Sequence, residues 1–471
     1  MPVKIALPKG RLLKKTAALL QKANWNLDEY HSRISFYHPK TRRFPELVIK
    51  VFHEKDIPIQ VAIGNYDLGI CGQDWVQELT AKYPSSAVLK VRDLGYGCGA
   101  LFMAASPSRK ISLRETRARD GILRIASEYP NLAENFALQN RLARFRVFPV
   151  WGAAEGYPPE NAELALVSGK SAVELADSGL IPVSRVLDYN AVLIANKTGW
   201  AEKDLGEIIA SICDEVSVAE IPISTGRTSR EIPADKATVK TALDDVRLAL
   251  PDGHQQQPTL ELLQKCGIRI GDYPSSTGNR RPEISLAGVR VKVIRPQDMP
   301  LQVANGNFDL AITGRDWLRE HLNQFPSSPV KGLADLKFGG VRIVAVVSQE
   351  LPVNDAPDLR RFNQNKKTPL RIASEYVHIA DWYARENHLG YYRIIPTWGA
   401  TEAFLPEDAD LLIENTQTGR TISRHNLRII DDIFESTACL IGSTRPTANR
   451  VKRERIKSLL NTIRSAVEGT K

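Results

Sequence analysis

The residues best suited to chemistry lie at glycine-bearing turns that end apolar runs. Leu7-Pro8-Lys9-Gly10-Arg11-Leu12 sets two cationic side chains beside such a turn. Backbone N–H groups at a strand end and a helix start converge there on an anion. The stretch reads equally as an ordinary basic turn. Gly72-Gln73-Asp74 and Gly314-Arg315-Asp316 are further strand-to-helix turns, with an aspartate expected to cap the following helix. The sharpest stretch is Glu414-Asn415-Thr416-Gln417-Thr418-Gly419-Arg420-Thr421-Ile422, after the apolar Leu411-Leu412-Ile413. A carboxylate at a strand end can accept from ribose hydroxyls. Threonine hydroxyls and loop N–H groups can surround a 5′-phosphate. Alone, such a loop also reads as a polar helix cap.

Short strands and helices alternate around these turns. Val3–Leu7 reads as a strand and Leu12–Ala23 as a helix. Glu46–Phe52 is a strand pattern, and Ile57–Ile63 is helical after Asp56, an expected cap. Asp67–Cys71 is a short apolar strand, and Asp74–Ala81 opens another helix. This rhythm predicts an α/β fold with sheets covered by helices.

The pattern occurs twice. Residues 46–78 align without gaps with residues 288–320, and 16 of the 33 positions are identical. Leu123–Tyr129 recurs as Leu370–Tyr376 in all seven positions, and Trp151-Gly152-Ala153 recurs as Trp398-Gly399-Ala400. A unit of about 240 residues is a globular module and not a solenoid repeat. The expected division is 1–220 and 246–445 for the modules, 221–245 for a turn-rich linker, and 446–471 for a basic C-terminal helix. Each module is large enough to be two-lobed.

Composition narrows the function classes. The 471 residues carry 63 Lys+Arg and 54 Asp+Glu, a net charge of +9. Seven basic and two acidic residues fall in 446–471, so most of the excess is one amphipathic helix and nucleic-acid binding is disfavoured. No apolar run approaches the ~18 residues of a membrane span, and the first residues show no secretory pattern. Cys71, Cys98, Cys213, Cys266 and Cys439 form no CxxC pair, which argues against a disulfide scaffold or zinc ribbon and fits the cytoplasm. Cys71 and Cys98 are expected to be buried, and Trp75 and Trp317 to be packing anchors. The eight histidines show no metal-binding spacing, so no metal site held by protein side chains alone is expected.

Taken together, LPKGRL, D-I-P with G-x-x-D-L-G-I-x-G-x-D, R-I-A-S-E-Y, G-x-x-E, and A-D before T-x-T-G-x-T resemble the ATP phosphoribosyltransferase family, over residues 3–220 and again over 246–445. The resemblance implies two-lobed modules like type II periplasmic-binding proteins, packed as a pseudo-dimer. It implies joining of N1 of ATP to C1 of phosphoribosyl pyrophosphate, with substrate-bound Mg²⁺ and release of pyrophosphate. Carried onto this sequence, it makes Lys9, Arg11 and Arg295 catalytic. It gives phosphoribosyl pyrophosphate to Glu402, Asp410, Glu414, Thr416, Gln417, Thr418, Gly419, Arg420 and Thr421. It gives ATP to Lys9, Gly10, Arg11, Gly72 and Asp74. A histidyl-tRNA-synthetase-like regulatory subunit is an implied partner, and further homo-oligomerisation is left open.

The halves depart from the pattern in different places. Lys9, Gly10 and Arg11 answer to Asp252, Gly253 and His254, and His53 answers to Arg295. The loop of half two faces Val167-Ser168-Gly169-Lys170-Ser171-Ala172-Val173-Glu174 in half one. Ala172 lacks glycine's backbone freedom and Glu174 would repel a phosphate. The reading is one composite site, with Arg11→Ala expected to slow turnover at little cost in stability. The rivals are a non-catalytic paralogue that keeps the fold, a two-lobed small-molecule binding protein, and nucleic-acid binding through the basic tail.

Overall fold

The computed structural model describes residues 2–31, 37–108, 111, 121–216, 244–276, 278–399 and 401–469. The expected linker 221–245 lies outside the described residues except for its last two.

Four five-stranded sheets account for the strands among the described residues. Apolar runs such as Ile5-Ala6-Leu7 and Leu411-Leu412-Ile413 are buried on both faces, as central strands require. The first sheet has the order β2 (Val48–His53), β1 (Lys4–Lys9), β3 (Leu68–Gly72), β10 (Ala191–Asn196), β4 (Val88–Asp93). The second runs β7 (Phe145–Pro149), β6 (Leu123–Ser127), β8 (Leu164–Gly169), β5 (Gly99–Ala105), β9 (Ile181–Tyr189). Half two repeats both orders. The third sheet is β12 (Val289–Ile294), β11 (Val246–Pro251), β13 (Leu310–Gly314), β20 (Ala438–Ser443), β14 (Val330–Asp335). The fourth is β17 (Tyr392–Pro396), β16 (Leu370–Ser374), β18 (Leu411–Thr416), β15 (Val341–Ser348), β19 (Leu427–Ser436). In each module the chain leaves the first sheet after its fourth strand and returns from the second through its tenth. The result is the two-lobed α/β module the sequence predicts.

Residues that look alike in the repeat bridge the two lobes of each module. Trp75 stacks on Tyr129 with ring centroids 4.3 Å apart, and Trp317 on Tyr376 at 4.4 Å, so both tryptophans are the expected anchors. Glu78 accepts from the N–H groups of Asn131 and Leu132, and Glu320 from those of His378 and Ile379. One acid of the first lobe thus caps a helix of the second.

The compact units do not follow the sequence halves. Unit 1 takes in Met1–Pro149, Tyr157–Thr238 and Trp398–Ala403, and unit 2 takes in Val150–Gly156, Val239–Thr397 and Phe404–Lys471. Each half therefore gives its Trp-Gly-Ala segment to the other half's unit, an exchange the expected boundaries do not contain. Cys71 is buried as expected, but Cys98 is exposed, because it falls in the crossover after β4 and not in a core strand.

The basic tail is part of a core. Asn449 caps helix Arg450–Glu468 by accepting from the Lys452 N–H at 2.9 Å. Leu459 and Ile463 pack with Leu248, Val291 and Leu310. Lys452 reaches Asp309 at 2.8 Å, as Lys203 reaches Asp67 at 2.8 Å in half one. Arg455 donates to the Asp244 carbonyl. Lys452 and Arg455 are thus tied to the module, while Arg450, Arg453, Lys457 and Arg464 stay exposed. Ile463→Ala should lower stability by about 2–5 kcal/mol, while Lys457→Ala on the exposed face should change it by less than about 0.5 kcal/mol. Guanidinium unfolding midpoints check both.

Candidate active site

The phosphoribosyl-type loop follows β18. Thr416 is buried, and its Oγ1 accepts from the Gly419 N–H at 2.9 Å, which folds the loop back on the strand. Gly419 has φ of +70° before the short helix Arg420–Arg424. A Cβ there would meet only Ile429, at 4.0 Å, so glycine is needed for the backbone and not for space. Gln417, Thr418 and Arg420 are exposed. The Glu414 carboxylate accepts from the Asn415 N–H at 3.0 Å. An acid, two threonines and turn N–H groups are therefore brought together at one strand end.

The aligned loop of half one is closed on itself. Ser171 Oγ accepts from the Glu174 N–H, and the Glu174 carboxylate accepts from the Lys170 N–H. A side-chain carboxylate already occupies a backbone donor that an anion would use.

Asp410 is not part of this cluster. It precedes β18 at the opposite end, and six residues of strand span about 20 Å. Its carboxylate accepts from Arg371 N at 2.8 Å and Nη2 at 3.1 Å, and also from Lys366. Burial works to raise its pKa, but these bonds outweigh that and hold it below the usual carboxylate range. Glu163 does the same in half one, accepting from Arg124 N at 2.8 Å and Nη2 at 3.0 Å. Asp410 is a strand-pairing ion pair, misread because it lies close to the loop in sequence.

In unit 1, Tyr30 Oη donates to the Pro8 carbonyl at 2.8 Å and fixes the base of the Lys9–Arg11 turn. Lys9 Nζ donates to Tyr37 Oη at 3.2 Å, and Tyr37 Oη donates to Glu402 Oε1 at 2.9 Å. Glu402 thus belongs to the unit of Lys9 and not to that of the phosphoribosyl loop. The G-x-x-E acid in the loop's unit is Glu155.

Arg11 is committed. Its Nε donates to Glu54 at 2.9 Å and its Nη2 to Asp74 at 2.7 and 2.8 Å, and the guanidinium lies 4.9 Å from the Tyr189 ring centre. Burial opposes the charge, but Asp74 and Glu54 outweigh it and hold the pKa above its ordinary value. Asp74 is fully buried and also accepts from Tyr129 Oη at 2.8 Å. It makes no cap bond; Gly72 is the N-cap of helix Gln73–Lys82. A Cβ at Gly72 would collide with the Asp74 carboxylate and the Arg11 guanidinium. Asp316 likewise caps nothing and accepts from Ser436 Oγ and Tyr376 Oη, each at 2.7 Å. Gly72, Asp74 and Arg11, expected to contact ATP, are joined here as an ion-paired scaffold under the Lys9 turn, with Asp74 buried and Arg11 partly exposed.

Unit 2 answers with its charges exchanged. Tyr273 Oη holds the Pro251 carbonyl at 2.8 Å. Asp252, in the place of Lys9, accepts from Arg280 Nη1 at 2.6 Å, and Arg280 Nε reaches Glu155 at 3.3 Å. Arg280 stands where half one has Tyr37: Val293 N–H bonds the Arg280 carbonyl as Val51 N–H bonds that of Tyr37. Arg295 lies 3.5 Å from Asp252 and beside Gly152. The Asp298 carboxylate accepts from the Trp151 N–H at 3.1 Å. Tyr37 and Arg280 are residues that sequence reading does not select; Glu155 is legible there only as the G-x-x-E acid that matches Glu402. The reversal from Lys9 to Asp252 is the signal that a compensating cation lies nearby.

A family model described as HisG, ATP phosphoribosyltransferase, matches the chain twice, over residues 53–217 and 295–465. An ATP phosphoribosyltransferase of Saccharolobus solfataricus is 32% identical over 234 residues, 47% of this chain and 72% of that protein. One of Trichlorobacter lovleyi is 29% identical over 223 residues, again 47% and 72%. Among solved structures, the ATP phosphoribosyl transferase (HisG:HisZ) complex from Thermotoga maritima covers 48% of this chain and 99% of its own, at 23% identity and a TM-score of 0.39.

The ion pairs argue against the expectation that Arg11 can be removed at little cost in stability. Arg11→Ala leaves two buried carboxylates without their cation and should cost about 2–4 kcal/mol, allowing for the part of the guanidinium in water. Glu54→Gln in the same chain should recover part of this, as denaturant midpoints would read. His53, in the place of Arg295, is held down to about 4 by burial and by Lys55, Lys9 and Arg11. Unfolded, an imidazole titrates near 6.5. As the pH falls from about 6.5 towards 4, the unfolded chain takes a proton that the folded one refuses, so stability is full above this window and is lost through it. By about pH 5 the loss approaches 2 kcal/mol, and His53→Gln should flatten that limb in a stability–pH profile.

Proposed function

The chain belongs to the ATP phosphoribosyltransferase family, and from that premise we infer that it transfers the 5-phosphoribosyl group of phosphoribosyl pyrophosphate to N1 of ATP with release of pyrophosphate, the first step of histidine biosynthesis. The observation that carries this reading is the Glu414–Thr421 loop, folded on Thr416 with left-handed Gly419.

In this reading the loop N–H groups and the hydroxyls of Thr416 and Thr418 take the 5′-phosphate, and Glu414 takes the ribose hydroxyls; the expected role of the Thr421 side chain lies outside the described residues. The N1 lone pair of adenine forms the new bond to C1, and the C1–O bond electrons leave with pyrophosphate. Little acid–base work is needed. Catalysis comes from positioning two anions and from charge that meets the leaving group. Arg295, in the loop's own unit, supplies that charge; Lys9 is read as a catalytic cation of unit 1, and Arg11 acts through the scaffold beneath it.

The turn N–H groups of the loop suit phosphate oxygens. Among the described residues no three His, Cys, Asp or Glu side chains are grouped to hold a metal. Mg²⁺ is therefore read as arriving on the substrate phosphates, where it neutralises pyrophosphate. The reading also places the chain in the cytoplasm, derives its tandem modules from a duplication, and includes a histidyl-tRNA-synthetase-like regulatory subunit.

The test is formation of phosphoribosyl-ATP from ATP, Mg²⁺ and phosphoribosyl pyrophosphate by the purified chain, with and without that subunit. No product under either condition would sink the reading. In calorimetric titrations, Thr418→Ala should weaken phosphoribosyl pyrophosphate binding by about 10–100-fold, the worth of one charge-assisted hydrogen bond. Gly419→Asp should abolish it. Ser171→Ala and Ala172→Asp should leave it intact, and Lys9→Ala should slow turnover without weakening it. Equal losses from both loops would mean two working sites.

A further inference from the structure

Resting on the reading of Glu414–Thr421 as the phosphoribosyl loop, we propose that Tyr376 is a positioning residue that fixes this loop against the first lobe of its own module. It does so through an Asp316–Tyr376–Asn415 hydrogen-bond chain, and thereby sets affinity for phosphoribosyl pyrophosphate and not the rate of bond breaking.

The first lobe holds one end of the chain. Asp316 and Trp317 open helix Arg315–Gln324. The Tyr376 ring stacks on Trp317, and its Oη donates to Asp316 Oδ2 at 2.7 Å. Ser436 fills the other carboxylate oxygen at 2.7 Å. The second lobe holds the other end. Tyr376 N donates to Ser374 Oγ at 2.8 Å, and Ser374 Oγ donates to the Ile413 carbonyl of β18 at 2.6 Å. Tyr376 is 1% exposed, so neither ring nor backbone can shift cheaply.

Asn415 Nδ2 donates into Tyr376 Oη at 3.0 Å. The Asp316 carboxylate polarises the tyrosine hydroxyl and makes it a better acceptor. Asn415 sits between Glu414 and Thr416, the two residues that begin the loop.

Half one supplies the internal comparison. Tyr129 stacks on Trp75 and donates to Asp74 Oδ2 at 2.8 Å, so the lobe-to-lobe latch is the same. Ser168 stands in the place of Asn415, and its hydroxyl bonds Tyr189. The chain to the loop is absent in the half whose loop has closed on Glu174. A purely structural latch would need only what both halves share.

The experiment compares Tyr376→Phe, Asn415→Ser, their double variant and Tyr129→Phe in the full chain, by titration with phosphoribosyl pyrophosphate, steady-state kinetics and thermal melting. Tyr376→Phe and Asn415→Ser should each weaken binding about three- to tenfold, the range of one neutral hydrogen bond. The double variant should be no worse than the stronger single, since both break one chain. Turnover at saturation should stay within about twofold, because the loop's contacts are made in ground and transition states alike. Tyr129→Phe should lower the melting temperature as Tyr376→Phe does, with binding unchanged. Unchanged binding in Asn415→Ser, additive losses in the double variant, or an equal loss from Tyr129→Phe would overturn the proposal. Asn415→Ser leaves the tyrosine–aspartate latch whole, so the test stands even if Tyr376→Phe fails to fold. Thr418→Ala separates the premises. If it weakens binding about 10–100-fold while Asn415→Ser leaves binding unchanged, only the chain is wrong; if it too leaves binding intact, the loop reading falls with it.

Discussion

One carboxylate without water sets the terms for each module. Asp74 and Asp316 sit at the second position of a helix, behind a glycine that leaves room for the carboxylate. A buried charge must be paired and hydrogen-bonded, or the fold loses several kcal/mol. In each module one of the partners is a tyrosine from the other lobe. The demand of one side chain therefore fixes how the two lobes close, and the tryptophan stack and the Glu78 or Glu320 helix cap reinforce the same closure.

The halves meet this demand with different inventories. Half one surrounds Asp74 with Arg11, Glu54 and Tyr189; the matching positions in half two are His254, Pro296 and Ser436. The cation and its extra acid are lost together, which keeps the charge balanced. The Lys9–Tyr37–Glu402 line likewise becomes Asp252–Arg280–Glu155. Asp252 opposite a tyrosine would lack its cation, and Lys9 opposite Arg280 would be repelled. Half one thus fills its inter-lobe seam with large and charged side chains. Half two places smaller ones there and keeps the loop that can receive a phosphate.

What the sequence could reveal depended on range. The sheets, the repeat and Gly419 were legible, because burial runs, spacing and backbone freedom are local properties. Asp74 and Asp316 look like helix caps from their neighbours alone. Their real partners, Tyr129 and Tyr376, lie some sixty residues on and in another lobe. Asp410 looked like part of the loop because proximity in sequence does not say which end of a strand a residue occupies. Glu402 reads from its sequence as a partner of the loop, yet it lies in the unit of Lys9, since the destination of a six-residue segment is decided by packing. Arg280 and Tyr37 share no residue type, so only the charge reversal beside them pointed to the pair.

The exchanged segments bear on the order in which the protein can be made. Ala403 packs into the core formed by Ile5, Leu7, Leu68 and Leu193. The first unit is therefore still missing a piece when the last of its own half has left the ribosome, and it waits until residue 403 emerges. Val150–Gly156 has the opposite fate: it is synthesised before any of the unit that receives it exists. Domains that fold during translation ordinarily finish one at a time, N-terminal first. Here neither can finish alone, so the two modules mature as a single event. A chain cut between its halves would have to recover by association between two molecules what the intact polypeptide obtains from its own continuity.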